Sequence, residues 1–172
     1  MAKKIFSWDA ISNGLWGKTF AIGAVVYEDG QETQTFYARR PIREAVDPVV
    51  QQNVLPKMAN MPTTHPSYLE MLSSFAKFYF ANKDNADIIF HTIAPSKARI
   101  ILDMYDFGFI DDEDYTSTSP WIDIAGCLKQ AGFDSASVTA YNEKHGIIVP
   151  DNESGPLYNS RAAALCYMSL IP

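Results

Sequence analysis

Apolar and polar positions alternate along the first third of the chain with a period of two, and with a helical period afterwards. Residues 4–8 form a short apolar run through Ile5, Phe6 and Trp8, which predicts a strand. Residues 20–28 (FAIGAVVYE) are rich in β-branched side chains and end at Asp29-Gly30, a strong hairpin turn signal. Residues 32–40 set Thr33, Thr35 and Tyr37 against Gln34, Phe36 and Ala38, as a half-exposed strand requires, and Pro41 closes the run. These segments predict a three-stranded antiparallel meander.

Helical spacing takes over next. Asp47-Pro48 places an N-cap before a first-turn proline and opens a short helix through Val54 and Leu55. Ser67 precedes a long amphipathic helix over 68–82, with Leu69, Leu72, Phe75, Ala76 and Tyr79 on one face. Residues 87–92 (DIIFHT) have the length and composition of a buried central strand. Residues 95–107 read as a helix whose apolar face is Ala98, Ile101, Leu102 and Tyr105. A last strand over 120–124 runs into a helix through Gln130, and helices follow over 135–145 and 159–170. Segments 61–66 and 111–119 carry the Pro, Thr and Asp of surface loops. A meander followed by βα units predicts an α/β fold with a mixed five-stranded sheet flanked by helices. No repeat or linker interrupts it, so residues 1–172 are expected to form one domain.

Composition narrows the partners. With 47% apolar and 13% aromatic residues the chain can fill a core and is not a disordered sequence. A net charge of −6 opposes broad, sequence-independent nucleic-acid binding, which needs clustered cations. The one compact basic cluster, Arg39, Arg40 and Arg43, reads as an ordinary solvated strand end. No run of about 18 apolar residues is present to span a membrane, and the start of the chain lacks the pattern of a signal peptide. The expectation is a cytoplasmic protein. Cys127 and Cys166 fall in helical segments without a Cys-x-x-Cys spacing, so both are expected to be buried free thiols.

Several segments, in order, resemble the DEDD 3′–5′ exonucleases, of the DEDDh or DnaQ-like branch within the RNase H-like superfamily. Phe6-Ser-Trp-Asp9-Ala-Ile11-Ser-Asn-Gly14-Leu15, followed by Phe20-Ala-Ile-Gly23-Ala-Val-Val, resembles the strand with Asp-x-Glu, the Thr-Thr-Gly-Leu turn and the second strand. Ile88-Ile-Phe-His91-Thr92 resembles the fourth strand, and Trp121-Ile-Asp123 the strand with an apolar-Asp pair. Ser154-Gly-Pro-Leu157-Tyr-Asn159-Ser-Arg161 stands where the family has a His-Asp motif ending in Asp-Ala-Arg. The resemblance implies the RNase H-like sheet, substrate contacts at Gly14, Leu15, His91 and Thr92, and a homodimer as one assembly option.

It also implies a defect. Two divalent cations about 4 Å apart must grip the scissile phosphate and activate water. Mg²⁺ requires hard oxygen ligands, and a histidine serves as general base. Of four carboxylates and one base, Asp9 alone is retained. The Glu position is Ile11; the second-motif Asp is Ser96, or Lys97 if the alignment slips by one; the base is Ser154; the last Asp is Asn159. Asp103 falls two helical turns beyond Ser96, about 10 Å on, too far to substitute. Asp151, Glu153 and the acidic run Asp111–Asp114 read as solvated loop acids; His91 reads as structural, His145 suits a helix C-terminus, and His65 falls in a Pro-rich loop. Three readings follow: a catalytically impaired exonuclease-fold module that binds a protein partner or a nucleic-acid 3′ end; an active exonuclease using Mg²⁺ or Mn²⁺ on Asp9, Asn159 and a further acid; or an unrelated interaction domain. The first needs no cofactor.

Overall fold

Strand β1 (Lys4–Ser12) lies at the centre of a five-stranded sheet in the order β3-β2-β1-β4-β5. The computed structural model describes residues 4–92, 94–117, 121–150 and 155–171. β2 (Thr19–Glu28) and β3 (Gln31–Arg39) complete the antiparallel meander, joined by Asp29 and Gly30 at φ 52° and 78°. Both central turn residues therefore adopt the left-handed conformation that a two-residue hairpin requires. β4 (Ala86–Phe90) adds to β1 in parallel, and β5 (Ile122–Asp123) adds to β4 in parallel. The mixed sheet is the one expected from the sequence, although β1 runs on to Ser12 and β5 is reduced to a two-residue edge.

Helices cover both faces: α1 (Tyr68–Asn82), α2 (Pro95–Asp106), α3 (Asp112–Ser117), α4 (Ile124–Gln130), α5 (Val138–Lys144) and α6 (Pro156–Leu170). Phe6, Trp8 and Ala10 of β1 face α1 and α2, where Phe75 and Phe90 close around the Trp8 indole at centroid distances of 5.3 and 6.2 Å. The alternate residue Ile5 packs with Val25 and Ile89 against α4, α5 and α6. A smaller cluster of Phe20, Ala21, Val50 and Met58 sits under a π-helical turn (Val50–Val54) and a 3₁₀ turn (Leu55–Met58). The short helix expected after Asp47 is this pair of turns, and Asp47 Oδ1 does accept from the Val49 N–H at 2.8 Å. Among the described residues no helix is long and apolar enough to cross a membrane.

Five expectations are corrected. The loop expected over 111–119 contains α3, because Asp111 Oδ1 accepts from the Asp114 N–H at 2.8 Å and the acidic run supplies its first turn. α6 starts at Pro156, not Asn159, since proline suits the first helical turn. The apolar face expected for α2 is turned. Leu102 and Tyr105 are exposed, while Ile100, Ile101 and Met104 are buried together with Lys97 and Asp103. Of the arginine cluster, Arg43 is exposed as expected but Arg40 is 5% exposed. Its Nε donates to the Thr19 carbonyl at 2.8 Å and its two terminal nitrogens grip Glu44 at 3.2 and 2.7 Å. Arg39 donates to the carbonyls of Met58 and Met61. Cys166 is buried as expected, its thiol pushed up to about 12 by burial and then by Cys127, whereas Cys127 is only half-buried.

Gly23, in the middle of β2, sets the seating of α6. A Cβ there would fall 2.2 Å from the Leu157 nitrogen and 2.4 Å from the Pro156 carbonyl carbon. The Ser160 hydroxyl lies 2.9 Å from the Gly23 oxygen and 2.7 Å from the Pro156 oxygen, so it donates to one or the other and ties helix to strand. Helix backbone here lies directly on strand backbone. Gly23→Ala should therefore cost about 3 kcal/mol or more of unfolding free energy, read from urea melts. A cost near that of a surface substitution would contradict the contact.

Glu44 generates a pH dependence. Its hydrogen bonds from Arg40 hold the carboxyl at about 2, below the ordinary 4.5. A depressed folded value contributes stability that is present above the unfolded value and lost as pH falls towards the folded one. Stability should drop from pH 4.5 to about 2, and Glu44→Gln should flatten that part of the profile in urea melts at stepped pH.

Candidate functional site

Strand alternation places Asp9 on the face of β1 that α6 covers, paired across the ladder with Gly23. Because α6 lies against Gly23, Asn159 in its first turns comes within reach, and its amide Nδ2 donates to Asp9 Oδ2 at 2.8 Å. The second carboxylate oxygen is met from α2, where Lys97 Nζ lies 2.7 Å from Asp9 Oδ1. The Lys97 side chain is 5% exposed and that of Asp9 17%. The Lys97 ammonium also stands 3.5 Å from the His91 carbonyl. Both oxygens of the retained acid are thus engaged by donors of this chain.

The surrounding backbone holds that arrangement in place. β4 ends at Phe90, and Thr92 turns the chain at φ 55° while its N–H donates to Asp123 Oδ1 at 3.0 Å. The same Asp123 oxygen accepts from the Ala125 N–H at 2.9 Å and caps α4. Pro95 then starts α2, and its first turn delivers Lys97. His91 Nε2 donates to the Ser135 carbonyl at 3.0 Å, fixing the ring against the chain that leads into α5. The hydroxyl of Ser137 caps α5 through the Ala140 N–H. A cavity of about 320 Å³ opens between these parts, with Asp9, Lys97, Asn159, His91, Thr92 and Ser137 on its walls.

Asp9, Asn159, His91 and Thr92, singled out from the sequence, come together around this one cavity. Ile11, two residues beyond Asp9 on the same face, instead packs against the Phe20, Val50 and Met58 cluster. Ser96 is buried but absent from the cavity wall, and Lys97 occupies the place expected for it. Gly14 and Leu15 lie in the loop between β1 and β2, with Gly14 at φ 85° and Leu15 63% exposed, and neither lines the cavity. Ser154, Asp151 and Glu153 fall outside the described residues. Asp103 is separate, as its spacing required: Tyr68 and Arg99 hold it, each at 2.5 Å. Sequence reasoning did not single out Ser137. Its signal, a serine at the start of a helical pattern, was hidden because that helix was expected to begin at residue 135.

The site can be tested against a pair of divalent cations. Among the described residues no three His, Cys, Asp or Glu side chains group to hold a metal. Among the described residues Asp9 is the sole carboxylate on the cavity wall, Asn159 turns its donor nitrogen to it, and the Lys97 ammonium stands 2.7 Å from its other oxygen. Hard dications need several anionic oxygens. These residues do not fit them.

No family model matches the chain, and no curated protein matches it. A solved structure, the crystal structure of a full-length 3′-exonuclease, matches with a TM-score of 0.53 at 14% identity. The match covers 98% of this chain and 59% of that one, so the chain spans about three fifths of that protein's length. At this identity the likeness shows the fold: an exonuclease-like mixed sheet with flanking helices.

The Asp9–Lys97 pair carries a measurable coupling. Removing one partner of a buried pair leaves the other charge uncompensated and costs about 3 kcal/mol. Asp9→Asn and Lys97→Met should each show a loss of this size, and the double variant should lose less than their sum by about 1 kcal/mol or more. Strict additivity in urea melts would contradict the pairing.

Proposed function

We propose that this exonuclease-fold chain is catalytically impaired and works as a binding or regulatory module, holding a ligand at the Asp9 cavity without cutting it. One observation carries the reading: Lys97 Nζ lies 2.7 Å from Asp9 Oδ1, with Asn159 on the other oxygen. In a two-metal nuclease the acids hold dications that bind the scissile phosphate and generate the attacking water. Here a side-chain ammonium supplies the positive charge. A lysine can contact a phosphate, but it cannot lower the pKa of a bound water as a coordinated metal does. The resemblance to the DEDD family supports the same reading, with Ile11, Lys97 (or Ser96), Ser154 and Asn159 at the altered positions.

The test is turnover in the presence of metal. The protein is incubated with 3′-labelled single-stranded DNA and RNA in Mg²⁺ and in Mn²⁺, beside Asp9→Ala. The expected result is no label release from either protein, and no Mn²⁺ binding in calorimetry. Label release that Asp9→Ala abolishes would overturn the reading in favour of a metal-dependent exonuclease.

A further inference from the structure

Charge on the walls of the Asp9 cavity cancels. Among the described residues, Lys97 and Asp9 are the charged side chains that line it, and their atoms lie 2.7 Å apart. A lone anion such as phosphate, drawn to Lys97, would also meet the Asp9 carboxylate. A lone cation drawn to Asp9 would meet the ammonium. At comparable distance a like charge costs as much as an opposite charge gains. A ligand that carries both signs escapes this conflict, because each of its ends finds a separate partner.

Both partners keep capacity for such a ligand. An ammonium has three N–H donors, and that of Lys97 meets Asp9 at 2.7 Å and the His91 carbonyl at 3.5 Å. A carboxylate has about four acceptor sites, and Asp9 receives Lys97 on one oxygen and Asn159 on the other. On the same walls, the Ser137 oxygen accepts from the Ala140 N–H at 3.0 Å, which leaves its proton to donate. Hydrogen bonds to a buried charge are stronger than those made by a surface lysine in water.

Size narrows the class. Water takes about 30 Å³ per molecule in the liquid, so the 320 Å³ cavity holds roughly ten. The occupant is a small molecule with about as many heavy atoms. Ala136, Val138, Ala162 and Ala163 make part of the wall apolar and keep it short, which suits a branched aliphatic group. An ammonium, a carboxylate and an aliphatic branch of this size together describe a free amino acid.

We propose that the Asp9 cavity binds an aliphatic α-amino acid as its zwitterion, with the carboxylate on Lys97 and Ser137, the ammonium on Asp9, and the side chain against Val138 and Ala162. The inference rests on the binding-module reading above and supplies its ligand class. No bond is made or broken, so the amino acid leaves as it entered. Its contacts come from β1, α2, α5 and α6, so occupancy ties together four elements of the fold.

Calorimetry and thermal melts with L-leucine and L-valine, in metal-free buffer, test this. Leucine should bind more tightly than about 1 mM and raise the melting temperature as its concentration rises. N-acetyl-leucine lacks the ammonium and leucinamide lacks the carboxylate, and each should bind roughly tenfold more weakly than leucine. Lys97→Met should remove or invert the preference for leucine over leucinamide, and Asp9→Asn that for leucine over N-acetyl-leucine. Trp16→Ala, outside the cavity, should leave leucine binding unchanged. Either charge variant can fail to fold, and the analogue series on the unaltered protein then decides alone. Binding of inorganic phosphate or N-acetyl-leucine as tight as that of leucine would overturn the zwitterion site. Absence of binding by both amino acids would overturn it too, and the impaired-module reading would stand. Label release in the metal assay is a separate readout that bears on the module reading alone.

Discussion

The contact between the first turn of α6 and the middle of β2 governs where everything else can stand. A helix normally rests on a sheet through side chains, about 10 Å from axis to sheet. At Gly23 that spacer is missing, and the Leu157 nitrogen comes within 2.2 Å of where a Cβ would be. The consequence is lateral as well as vertical. Gly23 is the cross-strand partner of Asp9, so the helix that settles on the glycine delivers Asn159 to the carboxylate. Core packing and site geometry are therefore one constraint. Ser160 secures it, and the small residues Ala162, Ala163 and Ala164 behind it let the rest of α6 follow the sheet closely.

A second theme is charge inside the fold. Lys97, Asp103 and Arg40 are each about 5% exposed or less, and each has a partner of opposite sign: Asp9, Arg99 and Glu44. Lys97–Asp9 joins α2 to β1, whereas Arg99–Asp103 lies within α2 and Arg40–Glu44 within the segment after β3. Tyr68 bridges two of them, donating to Asp103 while Arg40 lies 5.9 Å from its ring centre. Burial, then the hydrogen bond to Asp103, raises the Tyr68 pKa well above its ordinary value, so the hydroxyl remains a donor. Paired buried charge is weak evidence for stability but fixes geometry firmly.

This theme also explains which parts of the molecule were legible beforehand. The meander was readable because β-branched alternation and Asp29-Gly30 report local preferences that the fold does not override. The sheet order followed from the succession of strands and helices. On α2, hydropathy alone assigned Leu102 and Tyr105 to the interior, because Lys97 and Asp103 were counted as polar and thus exterior. Ion pairing reverses that assignment, and nothing local in the sequence announces it. The same limit applied at the site. Asp9, His91, Thr92 and Asn159 were recoverable from motif order, since Asp9 lies in β1, His91 and Thr92 directly follow β4, and Asn159 lies in the first turn of α6. The choice between Ser96 and Lys97 depended on one residue of register, which only the start of α2 at Pro95 decides. Arg40 was missed for a related reason: a run of arginines reads as solvent-facing until its carbonyl and carboxylate acceptors, Thr19 and Glu44, are brought beside it.

Lys97 has one further consequence. A metal ion is a visitor: it can be chelated, exchanged for another species, or diluted away. An ammonium on a helix is covalently tethered, and its local concentration at Asp9 does not depend on the surrounding solution. The cationic partner of this carboxylate is therefore written into the sequence, as residue 97 of the same chain.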